Sequence, residues 1–557
     1  MRIQFLDHGA RLSTERLGVA RWAGFAAAFV YLSFLANLPA QAIDLPSGAW
    51  LAVSLEIAFL LLALVLVPPL RLRLAPPVRH ATALCAILLL AVKAGNAGIG
   101  LALGRQLNLL LDAYLLRSVA NLLAGTFGVA VAVATGAGVA ILMTIIYVLA
   151  LRSVAVLQAM AGTRPGRLAI LAIAVLTAGL YLTQRATGLF GTGHPVAAVA
   201  AGTVAQQWRT VQRTLAAQSE FRMAERTDRF RDAAPGALLT RLEGIHVIVV
   251  FVESYGRNAL EGRTYAASLA PVLDRMEKRL RERGLTVQSG WLVSPIAGGQ
   301  SWLAHGTLLS GLWLDSQRRY DLLVSGDRKS LTHYFREAGH RVVAVRPAIT
   351  RAWPEGAYFG YTETYFADDL GYAGPPYAWV TVPDQYTLAF LERRVRASTP
   401  TPSPLFAEVV LISSHAPFTP LPPVIEDWSS IGDGALFARW VDRGDPPGVV
   451  WRNIDRARDQ YGAALAYVLD VVASYAENFV DEHTMLIVLG DHQPAPLLMG
   501  NDASRSVPVH VISGNPNLVT PFDELGFVRG ARPDPGGAEL HMDEFRDWFL
   551  DAYSDDR

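Results

Sequence analysis

Ile245-His246-Val247-Ile248-Val249-Val250-Phe251-Val252-Glu253-Ser254-Tyr255-Gly256 is the stretch on which the fold turns. A β-rich apolar run that stops on an acid and a serine reads as a strand delivering polar groups at its carboxyl end. Further runs of the same kind occupy residues 341–345, 405–412, 485–489 and 507–512. Between them lie amphipathic stretches of helical period at residues 265–283, 330–338 and 454–476. That alternation predicts an α/β domain with a largely parallel sheet. In open sheets of this type ligands gather where strands end at their carboxyl termini. Two more runs end there on polar residues, in Ser413-Ser414-His415-Ala416-Pro417-Phe418 and Gly490-Asp491-His492-Gln493-Pro494. Acid and imidazole groups after three separate strands are expected to converge, and carboxylate oxygen with imidazole nitrogen suits Mn²⁺ or Zn²⁺.

A hydroxyl nucleophile for such a centre belongs on a tight turn that opens a helix. Residues 295–305 fit: Gly298-Gly299-Gln300 precede Ser301, and Trp302-Leu303-Ala304-His305 continue towards Leu309. The start of a helix stabilises an anionic oxygen. On spacing alone, Ser301 serves equally well as a simple helix cap.

Upstream of residue 190 the composition changes. Five apolar segments, residues 22–40, 50–70, 81–103, 122–151 and 168–184, have about the 20 residues needed to cross a bilayer as helix. Any one of them alone would also suit a buried helix of a soluble protein, but five in succession predict a membrane domain. Only 18% of the chain is charged and its mean hydropathy is +0.27, as expected for a membrane protein. Arg2, Arg11, Arg16 and Arg21 precede the first segment, Arg71, Arg73 and Arg79 follow the second, and Arg152, Arg164 and Arg167 lie between the fourth and fifth. The alternate loops hold only Arg105 and Arg117. The positive-inside rule then places the N-terminus in the cytoplasm and, after five crossings, the rest of the chain outside. Ala40-Gln41-Ala42 has the form of a signal-peptidase site, although the apolar run before it is long for a cleaved signal. Glu56 and Lys93 fall in the outer halves of their segments, either as a structural ion pair or in contact with a lipid headgroup. The expected organisation is a five-helix transmembrane domain over residues 1–190, a helical linker at the membrane surface over 191–241, and a catalytic domain over 242–557.

The basic and acidic residues number 49 each, and without a cationic excess nothing favours a nucleic-acid partner. Cys85 is the single cysteine, so neither an internal disulfide nor a thiolate metal cluster can form.

With these residues the sequence resembles the lipoteichoic acid synthase and phosphoglycerol transferase branch of the alkaline-phosphatase/sulfatase superfamily over nearly its whole length. The most specific matches are Val252-Glu253-Ser254-Tyr255-Gly256, Ser414-His415-Ala416-Pro417-Phe418 and Leu489-Gly490-Asp491-His492-Gln493-Pro494. The resemblance implies five membrane helices, a helical linker and an extracytoplasmic sulfatase-like domain in the cell (inner) membrane. It implies one divalent metal, Mn²⁺ first with Zn²⁺ or Mg²⁺ as alternatives, held by Glu253, Asp491, His492 and the hydroxyl of the catalytic Ser301. It places His415 and Trp353 against substrate. It also implies a phospholipid donor, phosphatidylglycerol first, and a glycan or polymer acceptor. Departures are plain. The family's nucleophile is typically Thr in a Gly-x-Thr-Ser turn, where this chain has Ser301-Trp302, and an Arg two residues after the aromatic is here Glu355. Arg346 and Arg351 are near enough in sequence to supply the charge instead, Arg346 being the expected substrate contact. Ser301 lacks the Pro-x-Arg pattern of formylglycine sulfatases, and the paired cysteines of phosphoethanolamine transferases are missing. A sulfatase or phosphodiesterase acting on a soluble ester, or a phosphoethanolamine transferase, is the alternative enzyme. A transporter or an inactive scaffold is the alternative from another class.

Overall fold

The computed structural model describes residues 4–39, 48–188, 194–397, 403–499 and 504–555. Ala40-Gln41-Ala42 and the boundary expected at 190–191 lie outside the described residues. The chain divides into two compact units, one reaching to Ala216 and the other made of Ala217 onward with Leu101–Gly104.

The first unit is helical: α1 (Gln4–Asn37), α2 (Leu55–Leu66), α3 (Ala75–Leu103), α4 (Leu115–Phe127), α5 (Val129–Ala161) and α6 (Arg164–Thr187), followed by α7 (Val199–Arg226). Among the described residues, four helical stretches are long and apolar enough to span a bilayer, namely Gly18–Asn37, α3, α5 and α6. This corrects the expectation of five spanning helices. Within residues 50–70 only the 12 residues of α2 are α-helical, about 18 Å of rise against a hydrocarbon core of about 30 Å. Pro68 and Pro69 follow in a 3₁₀ turn, since proline removes the backbone donors an α-helix needs. The segment nonetheless connects opposite ends of the bundle. At one end Val53 and Ser54 pair in parallel with Val196 and Ala197, and Gln184, near the end of α6, donates to Val196 O at 2.7 Å. At the other, Gln158, just before α6 begins, donates to Leu70 O and Ala75 O at 3.2 Å. The fourth span also starts later than residue 122, because the chain breaks at Gly128, whose φ of 88° favours glycine.

Lys93 is buried, and its Nζ donates to Ala36 O at 2.6 Å. Glu56 accepts from Ser54 Oγ at 2.7 Å and from Ala201 N at 2.8 Å. Each charge is taken up by a different group, so the direct Glu56–Lys93 pair is not made.

The second unit is built on a nine-stranded sheet. Its strands are β1 (His246–Val252), β2 (Thr286–Val293), β3 (Arg341–Arg346), β4 (Glu363–Phe366), β5 (Leu405–Leu411), β6 (Thr484–Gly490), β7 (Ser506–Ser513), β8 (Val528–Arg529) and β9 (Glu539–His541). The order is β8-β2-β7-β6-β1-β5-β3-β4, with β9 beside β2. From β6 to β4 all neighbours are parallel. β7 is antiparallel to both β6 and β2, which makes the sheet mixed rather than largely parallel. Alternation along β1 feeds two cores. Ile248 and Val250 pack with Leu269, Met276, Leu465 and Val468 of the helices Ala266–Glu282 and Ile454–Phe479. Val247, Val249 and Phe251 pack with Leu303, Leu308, Phe335 and Phe549 on the other face. The register aligns Val252 with both Leu411 and Gly490, so the residues that follow β1, β5 and β6 emerge along one sheet edge.

Behind the sheet, the fully buried Arg546 makes two hydrogen bonds to Asp228, at 2.7 and 3.0 Å, and a third to Lys329 O at 2.6 Å. Arg546 also pairs with Asp547 at 2.8 Å, so the sharper loss is on the other side: without Arg546 the buried side chain of Asp228 is deprived of its nearest countercharge. Arg546→Leu is therefore expected to lower unfolding stability by about 3–5 kcal/mol, and the double replacement with Asp228→Leu by less. Denaturant unfolding of the full chain in detergent checks this; a double variant as unstable as the worse single would show that the pair itself is not what holds this corner.

Candidate active site

β1 ends on Glu253 and β6 on Asp491-His492, and the two ends are tied by one oxygen. Asp491 Oδ1 accepts the backbone N–H of Ser254 and of His492, each at 2.7 Å. The turn at Ser254 has a positive φ of 57°, costly for a non-glycine residue. It is held by this bond, by Ser254 Oγ donating to Glu253 Oε1 at 2.9 Å, and by the Tyr461 hydroxyl donating to Ser254 O at 2.7 Å. Glycine is required before Asp491, because a Cβ on Gly490 would lie 1.7 Å from Tyr255 O.

Ser301 opens the helix Ser301–Ser310 after three residues of positive φ, Gly298, Gly299 and Gln300. Its Oγ donates to Glu253 Oε2 at 2.9 Å and lies 3.1 Å from His492 Nε2. His492 Nδ1 faces Gln493 O at 2.7 Å, so that nitrogen carries a proton and Nε2 is turned to the centre. Glu253, Asp491 and His492 each offer one atom within 4.8 Å of the others, and all three are buried. The set fits a divalent cation. Two carboxylates face one imidazole, and Asp491 Oδ2 is buried with no hydrogen-bond partner, which is rare unless a ligand completes it.

The electrostatics show the same excess of negative charge. Burial, with Glu253 alongside, pushes Asp491 up to about 7. Burial opposes the charge on His492, but Asp491 and Glu253 outweigh it and raise His492 to about 9. Burial also opposes the charge on Glu253, and His492 more than offsets this, holding it below the usual carboxylate range.

The third strand end completes the edge. Ser414 Oγ, after β5, donates to Glu253 O at 2.6 Å. Asp384, buried and pushed up to about 7 by that burial, takes the N–H of Ile412 at 2.7 Å and of Ser413 at 3.0 Å. This fixes the turn that carries His415. His415 Nδ1 is committed to Ala416 O at 2.6 Å, and its ring stacks on Trp379 with centroids 3.7 Å apart.

One cavity of about 500 Å³ is lined by Glu253, Ser301, Arg346, Trp353 and His415 together. The structure thus brings together all seven residues expected from the sequence, Asp491 and His492 through their contacts with Glu253 and Ser301. Arg346 lies 4.5 Å over the Trp353 ring and is paired with Glu408. Arg351 is exposed and lies outside the lining. Glu355 lines the cavity, as do Trp302 and Trp379, 37% and 42% exposed, and the buried His305. Sequence reasoning assigned no role to His305, Trp379 or Glu408. Glu408 sits inside an apolar strand, and only its burial signals a partner.

No family model matches the sequence, and no curated protein matches it. Among solved structures, the lipoteichoic acid synthase LtaP from Listeria monocytogenes is 11% identical, with a TM-score of 0.35 over 57% of this chain and 73% of that one. The C-terminal periplasmic domain of EcEptC from Escherichia coli, in complex with Zn, is 16% identical, with a TM-score of 0.37 over 56% and 83%. The Streptococcus pyogenes phosphoglycerol transferase GacH, in complex with sn-glycerol-1-phosphate, is 11% identical, with a TM-score of 0.36 over 56% and 76%.

Metal ligands must shed their protons to bind. Mn²⁺ affinity is therefore expected to weaken as pH falls from 9, where His492 begins to take up a proton, and more steeply below 7, where Asp491 does so too. Calorimetric titration of metal-free protein across this range checks the assignment. A flat profile, or full binding by Asp491→Ala, would remove these residues from the ligand set.

Proposed function

We propose that the chain is a membrane-anchored, metal-dependent phosphoryl-group transferase of the alkaline-phosphatase/sulfatase superfamily. It moves a phospholipid headgroup, phosphoglycerol first among candidates, to a hydroxyl of a glycan or polymer. The observation that supports this reading is the placement of Ser301 Oγ between Glu253 Oε2 and His492 Nε2 at the wall of a cavity large enough for a headgroup.

A divalent cation held by Glu253, Asp491, His492 and Ser301, with Mn²⁺ favoured over Zn²⁺ or Mg²⁺, would neutralise phosphoryl charge and sharpen the serine hydroxyl. Ser301 Oγ, directed by its hydrogen bond to Glu253, attacks phosphorus. The bond from phosphorus to the diacylglycerol oxygen breaks, and that oxygen leaves with a proton. The headgroup stays on Ser301 as a phosphodiester. The acceptor hydroxyl then attacks the same phosphorus and gives up its proton, and Ser301 is released as the alcohol. His415, with one nitrogen committed to Ala416 O, and Arg346, stacked on Trp353, hold the group in place. Water as acceptor would make the same residues a phosphodiesterase.

The catalytic unit faces outward in this reading, because the basic loops alternate with nearly uncharged ones and residues 50–70 join opposite ends of the bundle. A reporter enzyme active only in the cytoplasm, fused at the C-terminus, is expected to be silent. Activity from that fusion would place the unit inside.

The nucleophile is tested directly. After incubation with headgroup-labelled phosphatidylglycerol and acid quench, label is expected on the peptide spanning residues 294–309. Ser301→Ala should lose both label and turnover while still binding metal through three remaining ligands, and Ser301→Thr should keep part of the activity. Near-normal turnover by Ser301→Ala would reduce the serine to a helix cap.

A further inference from the structure

Among the described residues of the second unit, six large apolar side chains are exposed, each by at least 37%: Leu101, Met223, Trp302, Trp379, Trp451 and Leu497. Five of them border the sheet edge that carries Ser301 and His492. Trp302 follows Ser301, Trp379 stacks on His415, and both line the cavity. Trp451 stacks on Phe418, three residues beyond His415, with ring centroids 5.8 Å apart. Leu497 comes five residues after His492, in the short helix Pro496–Met499. Leu101 belongs to Leu101–Gly104, the end of α3, which packs within this unit. That segment touches the site at two points. A Cβ on Gly298, in the turn before Ser301, would lie 1.9 Å from Ala102 O, and one on Gly104 would lie 3.3 Å from Pro496 Cγ. Only Met223, on α7, stands apart.

Single apolar residues scattered over a surface need no explanation, whereas a cluster around one cavity marks an interaction surface. Three features say what covers it. The indole N–H of Trp302 is taken by Gln317 Oε1 at 2.9 Å, and that of Trp451 faces Pro417 O at 3.4 Å. These rings therefore turn carbon outward with their donors already engaged, which suits hydrocarbon better than a polar partner. Tryptophan is also the side chain that settles at membrane–water interfaces. Finally, α3 is long and apolar enough to cross a bilayer. Its 29 residues rise about 44 Å, matching the roughly 40–45 Å of a hydrocarbon core with its headgroup layers. As a crossing helix it ends at the lipid–water boundary, and the turn before Ser301, in contact with that end, lies at the same boundary.

We propose that this rim is a lipid-docking surface. Trp302, Trp379, Trp451, Leu497 and the end of α3 enter the headgroup layer, so that a lipid reaches Ser301 from the bilayer without passing through water. The rim rests on the proposed function only for the identity of that lipid as the donor.

The test uses the full chain in nanodiscs of phosphatidylcholine and phosphatidylglycerol. In a Cys85→Ser background, which removes the single native cysteine, spin labels are attached through Trp451→Cys, Leu497→Cys and, as a control, Glu482→Cys. Glu482 is exposed and precedes β6, at the opposite edge of the sheet. Collision of each label with dissolved oxygen, which partitions into lipid, is compared with collision with a water-soluble nickel chelate. The oxygen-to-nickel ratio is expected to be at least about threefold higher at 451 and 497 than at 482, because oxygen is apolar and the chelate is not. Equal ratios at the three positions would put the rim in water and overturn the proposal. Protection of 451 and 497 from both reagents would overturn it too, because a second copy or another protein would then cover the rim. Label transfer from phosphatidylglycerol to Ser301 is followed in the same nanodiscs. A lipid-exposed rim without transfer supports the docking surface and sinks the donor reading. Transfer with a water-exposed rim sinks the docking surface and leaves that reading standing.

Discussion

A single carboxylate oxygen, Asp491 Oδ1, holds the site together. By accepting two backbone N–H groups, from Ser254 and His492, it locks the ends of the neighbouring strands β1 and β6 into one rigid corner. The same bonds fix Ser254 in its left-handed turn and set Glu253 facing Ser301. Charge-assisted bonds of this kind are roughly twice as strong as neutral ones. With Oδ1 saturated, only Oδ2 remains for anything else; it is buried, makes no hydrogen bond, and lies 3.7 Å from His492 Nε2. Structure and chemistry are thus divided between the two oxygens of one side chain.

Around that corner the charges are graded. Nearest Ser301 lie two carboxylates and one imidazole, a set that gains from a cation. Behind the cavity wall formed by Arg346 and His305 lies a balanced group in which the buried Glu408 is matched by Arg346, with Tyr361 alongside. The first carries an excess of negative charge, whereas the second is balanced. At the mouth Trp302 and Trp379 present indole surface to solvent.

The strands that carry the site were legible because buried parallel strands read as apolar runs, and an acid or histidine at their ends stands out. β2 was not, since Gln288, Ser289 and Gly290 interrupt it. Their compensation is tertiary: Gln288 donates to Asp523, and Ser289 bonds His510 and Gly530 O. Missing β2 and the antiparallel setting of β7 is why the sheet read as largely parallel. The catalytic-type residues followed from strand ends and from the glycine turn before Ser301. His305 did not, because a histidine in an apolar helix looks like any core histidine until its unpartnered nitrogens are seen. Residues 50–70 were apolar enough for a spanning helix, and Pro68-Pro69 shortened it. The partners of Glu56 and Lys93 depend on how helices face one another, which hydropathy does not encode.

The position of β1 at the centre of the sheet has a consequence for how the protein is made. Both of its neighbours lie far downstream: β5 begins at Leu405 and β6 at Thr484. At ~5–20 residues per second, ribosomes need on the order of ten to fifty seconds after β1 emerges before β6 exists. Until β5 emerges a strand of valine, isoleucine and phenylalanine has both hydrogen-bonding edges open, and until β6 follows one edge stays open, which is the hazard native sheets otherwise guard against. The amphipathic helix Ala266–Glu282, complete within thirty residues of β1, can shield one face early but neither edge. A chain that ends before β6 would leave one edge of this apolar strand uncovered, so biosynthesis of this protein is expected to lean on holding chaperones more than its final, well-buried sheet suggests.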